Sequence, residues 1–178
     1  MMTPLLASLT RRFSVRLTRL ALIVSVAAFA GGCASVTESA MKLPAVGPVP
    51  GSYGNYGTQS GYLQVYSVTR TVNDGGIFYY PHTGYSVYST EGKRVTSCPN
   101  HAGPDDQTPL VIPMAPGRYT VYALAGGLGM VAVPTVLARG QLTILFLERD
   151  GMPKKDRPLL LDHPVVRAPD GRVLGCQP

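Results

Sequence analysis

The residues able to do chemistry are few, and their spacing decides what they can do. Three histidines stand in "YPHTG", "PNHAG" and "LDHPV", at His82, His101 and His163, and each could join an Asp and a Ser in a triad. A triad needs a nucleophile on a sharp strand-to-helix turn, and no such elbow occurs; Asp162 beside His163 is sequence adjacency, which does not orient a base. Asp105 and Asp106 in "GPDDQTP" offer two carboxylates that could take calcium with backbone oxygens, but on a Pro-flanked loop they read as solubilising charge. Two Cys without a Cys-x-x-Cys, among scattered His, offer no zinc spacing. The glycines of "AGGLGM" lie between two strand-like runs and open no helix, so no positive helix end awaits a phosphate. No catalytic residue, metal or cofactor is therefore expected.

One aromatic cluster remains. "YYPHTGYSVY", Tyr79 to Tyr88, holds four of the ten tyrosines and one of the three histidines. Alternation along "YSVYS" sends Tyr85 and Val87 to one face and Ser86 and Tyr88 to the other, so the four tyrosine rings cannot form one platform. Only the loop-like "YPHTGY" could present Tyr80, His82 and Tyr85 together as ligand contacts. The alternative is sheet packing, to which Tyr85 inclines, while the break at Pro81 leaves Tyr80 and His82 for exposure.

What positions these residues begins with an export signal. Arg11, Arg12, Arg16 and Arg19 precede the apolar run "LALIVSVAAFA", and then "GGC" ends at Cys33. A basic region, an apolar run too short to span a bilayer comfortably, and small residues at a cleavage point make residues 1–32 a secretory signal peptide. The Arg pair also hints at twin-arginine export, although "TRRFSV" lacks the usual continuation. Ala30, Gly31 and Gly32 before Cys33 resemble a bacterial lipobox, which implies that the Cys33 thiol takes up diacylglycerol and becomes residue one of the mature chain. The other reading is an ordinary cleaved signal in which Cys33 is incidental. Ala34, with no Asp after the Cys, resembles a signal for sorting to the outer membrane. The expected location is the bacterial cell envelope, with the membrane as partner through the lipid on Cys33.

Removing the signal changes the charge argument. The whole chain is formally +6, but four of its sixteen basic residues and none of its ten acids precede Cys33, which leaves +2. No cluster of Lys and Arg with interleaved aromatics remains, so nucleic acid is excluded as a partner. Export also suits the two remaining thiols, Cys98 and Cys176, an even pair in an oxidising compartment. Both end short strands after a turn, in "EGKRVTSC" and "DGRVLGC", and we expect a disulfide between them, with two free buried thiols as the alternative. In the chain-entropy scheme a bridge closing so long a loop stabilises by about 4 kcal/mol.

Residues 33–60 are rich in Pro, Gly and Ser and carry no sustained period of 2 or 3.6 residues, so they read as a flexible tether. As a coil its ends would lie roughly 30 Å apart. From Gly61 onward, short runs of Val, Ile, Tyr and Thr alternate with turn sequences such as "NDGG", "TEGK" and "APG". No long amphipathic helix pattern occurs. The expectation for 61–178 is an all-β domain, a single antiparallel β-sandwich of about seven strands with an irregular C-terminal extension.

"APGRYTVYALA" and "VAVPTVLARGQLTILFLE" carry a Pro-Gly-x-Tyr-x-Val strand start, a glycine loop, a Val-rich strand, then Gly-Gln-x-Thr and a final apolar strand. This pattern is similar to the carboxypeptidase-regulatory-like, prealbumin-like β-sandwich modules, and with the lipobox in front the chain resembles uncharacterised bacterial lipoproteins that carry one. The resemblance covers residues 61–148 and implies an accessory or binding unit without catalytic residues. A non-catalytic binding module with an envelope protein or glycan partner is the functional expectation. A structural or assembly accessory of the envelope is the alternative, and a hydrolase with an unseen site comes third.

Overall fold

The computed structural model describes residues 40–52, 57–103, 105–149, 160 and 162–178, all within the unit Val36–Pro178. The fold is all-β, with twelve strands among these residues. In chain order they are β1 (Met41–Lys42), β2 (Gly61–Tyr66), β3 (Val72–Asp74), β4 (Ile77–Tyr79), β5 (Tyr85–Ser89) and β6 (Arg94–Cys98). β7 (Val111–Met114), β8 (Gly117–Ala125), β9 (Gly129–Leu137), β10 (Leu142–Phe146), β11 (Val165–Arg167) and β12 (Val173–Cys176) follow.

The turn chemistry sets the hairpins. β8 and β9 pair along their full length, from Gly117 opposite Leu137 to Ala125 opposite Gly129, around a turn in which Gly127 has φ 77°. β3 and β4 close on Gly75 and Gly76, both at positive φ, which is the backbone of a two-residue primed turn. These and other pairings give a five-stranded sheet in the order β1-β9-β8-β5-β6, a three-stranded sheet in the order β10-β2-β7, and two separate ribbons, β11-β12 and β3-β4.

Two cores follow from the faces of β10. "LTILF" is buried at every position, because Leu145 faces one core while Leu142, Ile144 and Phe146 face another. In the first core, Leu63, Val65 and Leu145 of the three-stranded sheet meet Val87, Val121, Val131 and Val133 of the five-stranded sheet. In the second, Ile144 and Phe146 are covered by Val49, Leu160 and Cys176. Two-sided burial explains why this strand reads as a continuous apolar run instead of an alternating one. Fully burying a side chain such as Phe146 is worth about 2–3 kcal/mol.

Several expectations are corrected. The strands number twelve, where about seven were expected, and the pairing is mixed: β1 runs parallel to β9, and β10 runs parallel to β2. The C-terminal segment, expected to be irregular, forms the β11-β12 hairpin and buries Leu174 and Cys176. The expected tether is folded over residues 40–52: Leu43, Val46 and Val49 are buried, and their N–H groups donate to the carbonyls of Ala132, Pro134 and Leu142. These three residues recur at every third position, the repeat of an extended polyproline-type chain, and a search for periods of 2 and 3.6 passes over it. Pro44 and Pro48 lie between the donating residues and Pro50 follows the last of them, so no ladder bond is lost to their missing N–H. Cys33 and the signal segment lie outside the described residues.

Candidate functional site

The site grows from an extension of β2 and β5. Past Tyr66 the chain pairs with the segment that leads into β5: Thr83 N–H donates to Val68 O at 2.8 Å, Arg70 N–H donates to Pro81 O at 3.0 Å, and Thr69 bridges His82. Asn100 locks the base of this arm. Fully buried and at φ 69°, it donates from Nδ2 to Val65 O at 2.8 Å, Ser67 Oγ at 3.1 Å and Thr83 O at 3.2 Å. Asn tolerates the left-handed region better than most residues, and here that conformation carries its amide to three acceptors.

His82 sits in the wall of the arm. Its Nδ1 lies 2.6 Å from Ser67 O, and since a carbonyl only accepts, Nδ1 carries the hydrogen. The same nitrogen is 3.6 Å from Glu148 Oε1. The ring meets Tyr66 edge-on at 5.5 Å, and Tyr66 stacks on Phe146 at 5.0 Å. His82 is thus 4% exposed and fixed on both its polar and apolar sides, which corrects the expectation that it is exposed.

A cleft of about 390 Å³ opens beside it. The arm contributes Thr69, Tyr80 and His82, the loop after Asn100 contributes Gln107 and Thr108, and Glu148 closes it from the end of β10. Tyr80 is 46% exposed, so its ring face is available at the rim. The loop is held by Asp106, whose Oδ1 accepts from Thr108 N–H at 3.0 Å and Oδ2 from Ala102 N–H at 3.2 Å. These two backbone N–H groups, Thr108 first, hold the Asp106 carboxyl below its usual range. Gln64 of β2 donates to Pro109 O at 3.1 Å, and Arg70 donates to His101 Nε2 at 3.2 Å, which ties the loop to sheet and arm.

The three expected ligand contacts do not come together. Tyr80 is exposed, His82 is a buried wall residue, and Tyr85 is 3% exposed in the first core beside Cys98. Burial first, and then the neighbouring Cys98, push the Tyr85 hydroxyl's titration upward. No oxygen or nitrogen within hydrogen-bonding geometry satisfies that hydroxyl. The expected bridge is also absent: Cys98 and Cys176 are free thiols, one in each core, with the three-stranded sheet contributing to both. Burial raises the Cys176 thiol's titration.

Two larger grooves have different chemistry. One of about 500 Å³ on the five-stranded sheet is lined by Tyr88 and Tyr122, whose rings pack edge-on against each other at 5.0 Å. Another of about 430 Å³, between β6 and β7, is walled by Val95, Leu110 and Ile112. Neither brings a carboxylate, a side-chain amide and an exposed aromatic face together, as the cleft at Tyr80 does.

Glu148, Gln107 and Thr108 were not anticipated. Glu148 had one signal, a lone carboxylate ending the apolar run "LTILFL". Comparison with protein-family models, curated proteins and solved structures finds no match to this chain.

Proposed function

We propose that this chain is a lipid-anchored lipoprotein of the bacterial cell envelope, with diacylglycerol on Cys33, sorted to the outer membrane. Its folded part, read as a single β-sandwich made by the five- and three-stranded sheets, is a non-catalytic binding module. Its ligand is a glycan segment held at the Tyr80 cleft. The observation that carries this reading is the composition of that cleft: one exposed aromatic face beside a carboxylate, an amide and two hydroxyls. An aromatic face covers the apolar face of a sugar ring, while carboxylate and amide groups take its hydroxyls. His82 supports a binding role over catalysis, because its Nδ1 hydrogen is committed to a backbone carbonyl and its ring is packed against Tyr66.

Two measurements test this. Intact mass of the membrane-extracted protein should show a chain starting at a diacylated Cys33, and unprocessed or unmodified protein would remove the anchor. Titration with soluble cell-wall glycan fragments should show binding that Tyr80→Ala abolishes; equal affinity in the variant would remove the cleft. A structural or assembly role is the second reading. It is favoured by the apolar groove between the edge strands β6 and β7, where Val95 is half exposed.

A further inference from the structure

The β3-β4 ribbon carries apolar side chains that the rest of the described protein does not cover. Ile77 is 59% exposed and Phe78 55%, and at the turn no atom lies within 4 Å of where a Cβ on Gly75 or Gly76 would sit. Cross-strand partners share a face, so Ile77 with Asp74 and Tyr79 with Val72 lie on one side, and Phe78 with Asn73 on the other. Apolar groups therefore project from both faces of the ribbon. A flat partner surface would cover one face only, whereas a medium entered end-on surrounds both.

The place of the ribbon in the fold points to that medium. β1 begins beside Val131 and runs parallel to β9, so the chain before Met41 leaves next to the β8-β9 turn. The base of the arm flanks the same turn, since Val68 N–H donates to Leu124 O and Leu124 pairs with Met130. Met41 is eight residues past Cys33. Eight residues reach at most about 28 Å when fully extended, and about 16 Å as a coil. From the Thr69–His82 bridge to the glycine turn the ribbon measures about 20 Å at the rise of a strand. A coiled leash is shorter than a ribbon whose base lies at the same end of the fold, which puts the tip within reach of the surface.

We propose that the β3-β4 tip, through Ile77 and Phe78, enters the interfacial layer of the bilayer that holds the Cys33 lipid, as a second membrane contact that orients the domain. This rests on the anchored reading above. Apolar and aromatic side chains on a short projection favour that layer, where the polar backbone of the turn keeps contact with water and headgroups.

The test uses the full lipidated chain in vesicles of phosphatidylethanolamine and phosphatidylglycerol. An environment-sensitive fluorophore is placed at Phe78→Cys, at Asp74→Cys, and at Glu91→Cys in the turn between β5 and β6; the buried Cys98 and Cys176 stay unlabelled in the native protein. Flotation reports the anchor separately, with Cys33→Ser as its control. The expected result is flotation, with loss of most emission at 78 and 74 to lipid-borne quenchers and none at 91. A chain that floats while 78 and 74 keep water-like emission overturns the second contact and leaves the anchor standing. A chain that does not float overturns the anchor and with it the bilayer as occupant. Emission that turns apolar with protein concentration in the absence of vesicles assigns the tip to a second copy and overturns the membrane contact.

Discussion

Tyr80 and Tyr85 are five residues apart in one aromatic stretch, and the structure assigns them opposite consequences. Tyr85 is 3% exposed and packs in the first core with Cys98, Val87 and Val121, so Tyr85→Ala leaves a ring-sized cavity. Such truncations cost about 3–5 kcal/mol. The lower end applies here, because the hydroxyl that is lost finds no oxygen or nitrogen partner in the core, only the Cys98 sulfur, and so contributes little to folding. For a unit of about 140 residues, about 3 kcal/mol lowers the melting temperature by roughly 10 °C. Tyr85→Phe removes only this weakly partnered hydroxyl and should leave the melting temperature nearly unchanged. Tyr80 is 46% exposed, so Tyr80→Ala should cost at most about 1 kcal/mol, or a few degrees. Thermal unfolding followed by circular dichroism separates the three variants. A Tyr80→Ala protein that melts as low as Tyr85→Ala would refute its place at the cleft rim. A large loss in Tyr85→Phe would refute the weak role of the hydroxyl.

Asp106 holds two backbone N–H groups that the unfolded chain does not offer it, so its lowered titration supports the Gln107–Thr108 wall fully above the ordinary Asp range. That support is lost as pH falls through the lowered value; ligand affinity should therefore drop below about pH 4, and Asp106→Ala should show the same weakening at neutral pH with little change in melting temperature. Gly175 lies where a Cβ would stand 2.5 Å from both Ile144 O and Val46 Cγ1, so Gly175→Ala should destabilise by about 2–3 kcal/mol, seen as a lower denaturation midpoint. Without reductant, the native protein should resist maleimide at Cys98 and Cys176, and the denatured chain should take up two labels; a linked pair of peptides would contradict the separation of the two cores.

The parts of the fold legible in the sequence are those set by local chemistry. Glycines at positive φ in "NDGG" and "AGGLGM" place the turns of β3-β4 and β8-β9, and alternation in "YSVYS" correctly sends Tyr85 and Val87 inward. Long-range pairing was not legible. β10 joins β2 in parallel, linking Leu142 to Tyr62 across the chain, and this pairing brings Glu148 to an arm that leaves β2 just past Tyr66. No short-range pattern marks such a neighbour. The segment from Leu43 to Val49 was misread because its buried residues follow a threefold repeat in proline-rich sequence that resembles a spacer. Similar local contexts suggested that Cys98 and Cys176 meet, but β6 of the five-stranded sheet puts Cys98 in the first core and β12 of the separate ribbon puts Cys176 in the second. Of the expected site, Tyr80 keeps its exposed ring, whereas the bond from His82 to Ser67 O draws the imidazole inward.

The most direct test is a titration of the isotope-labelled protein with soluble cell-wall glycan fragments, followed by backbone amide shifts. The binding-module account predicts saturable shifts confined to Thr69, Tyr80, Gln107, Thr108 and Glu148, absent in Tyr80→Ala. Shifts centred on Val95 and Ile112 between β6 and β7, or no shift at any fragment concentration, would contradict it.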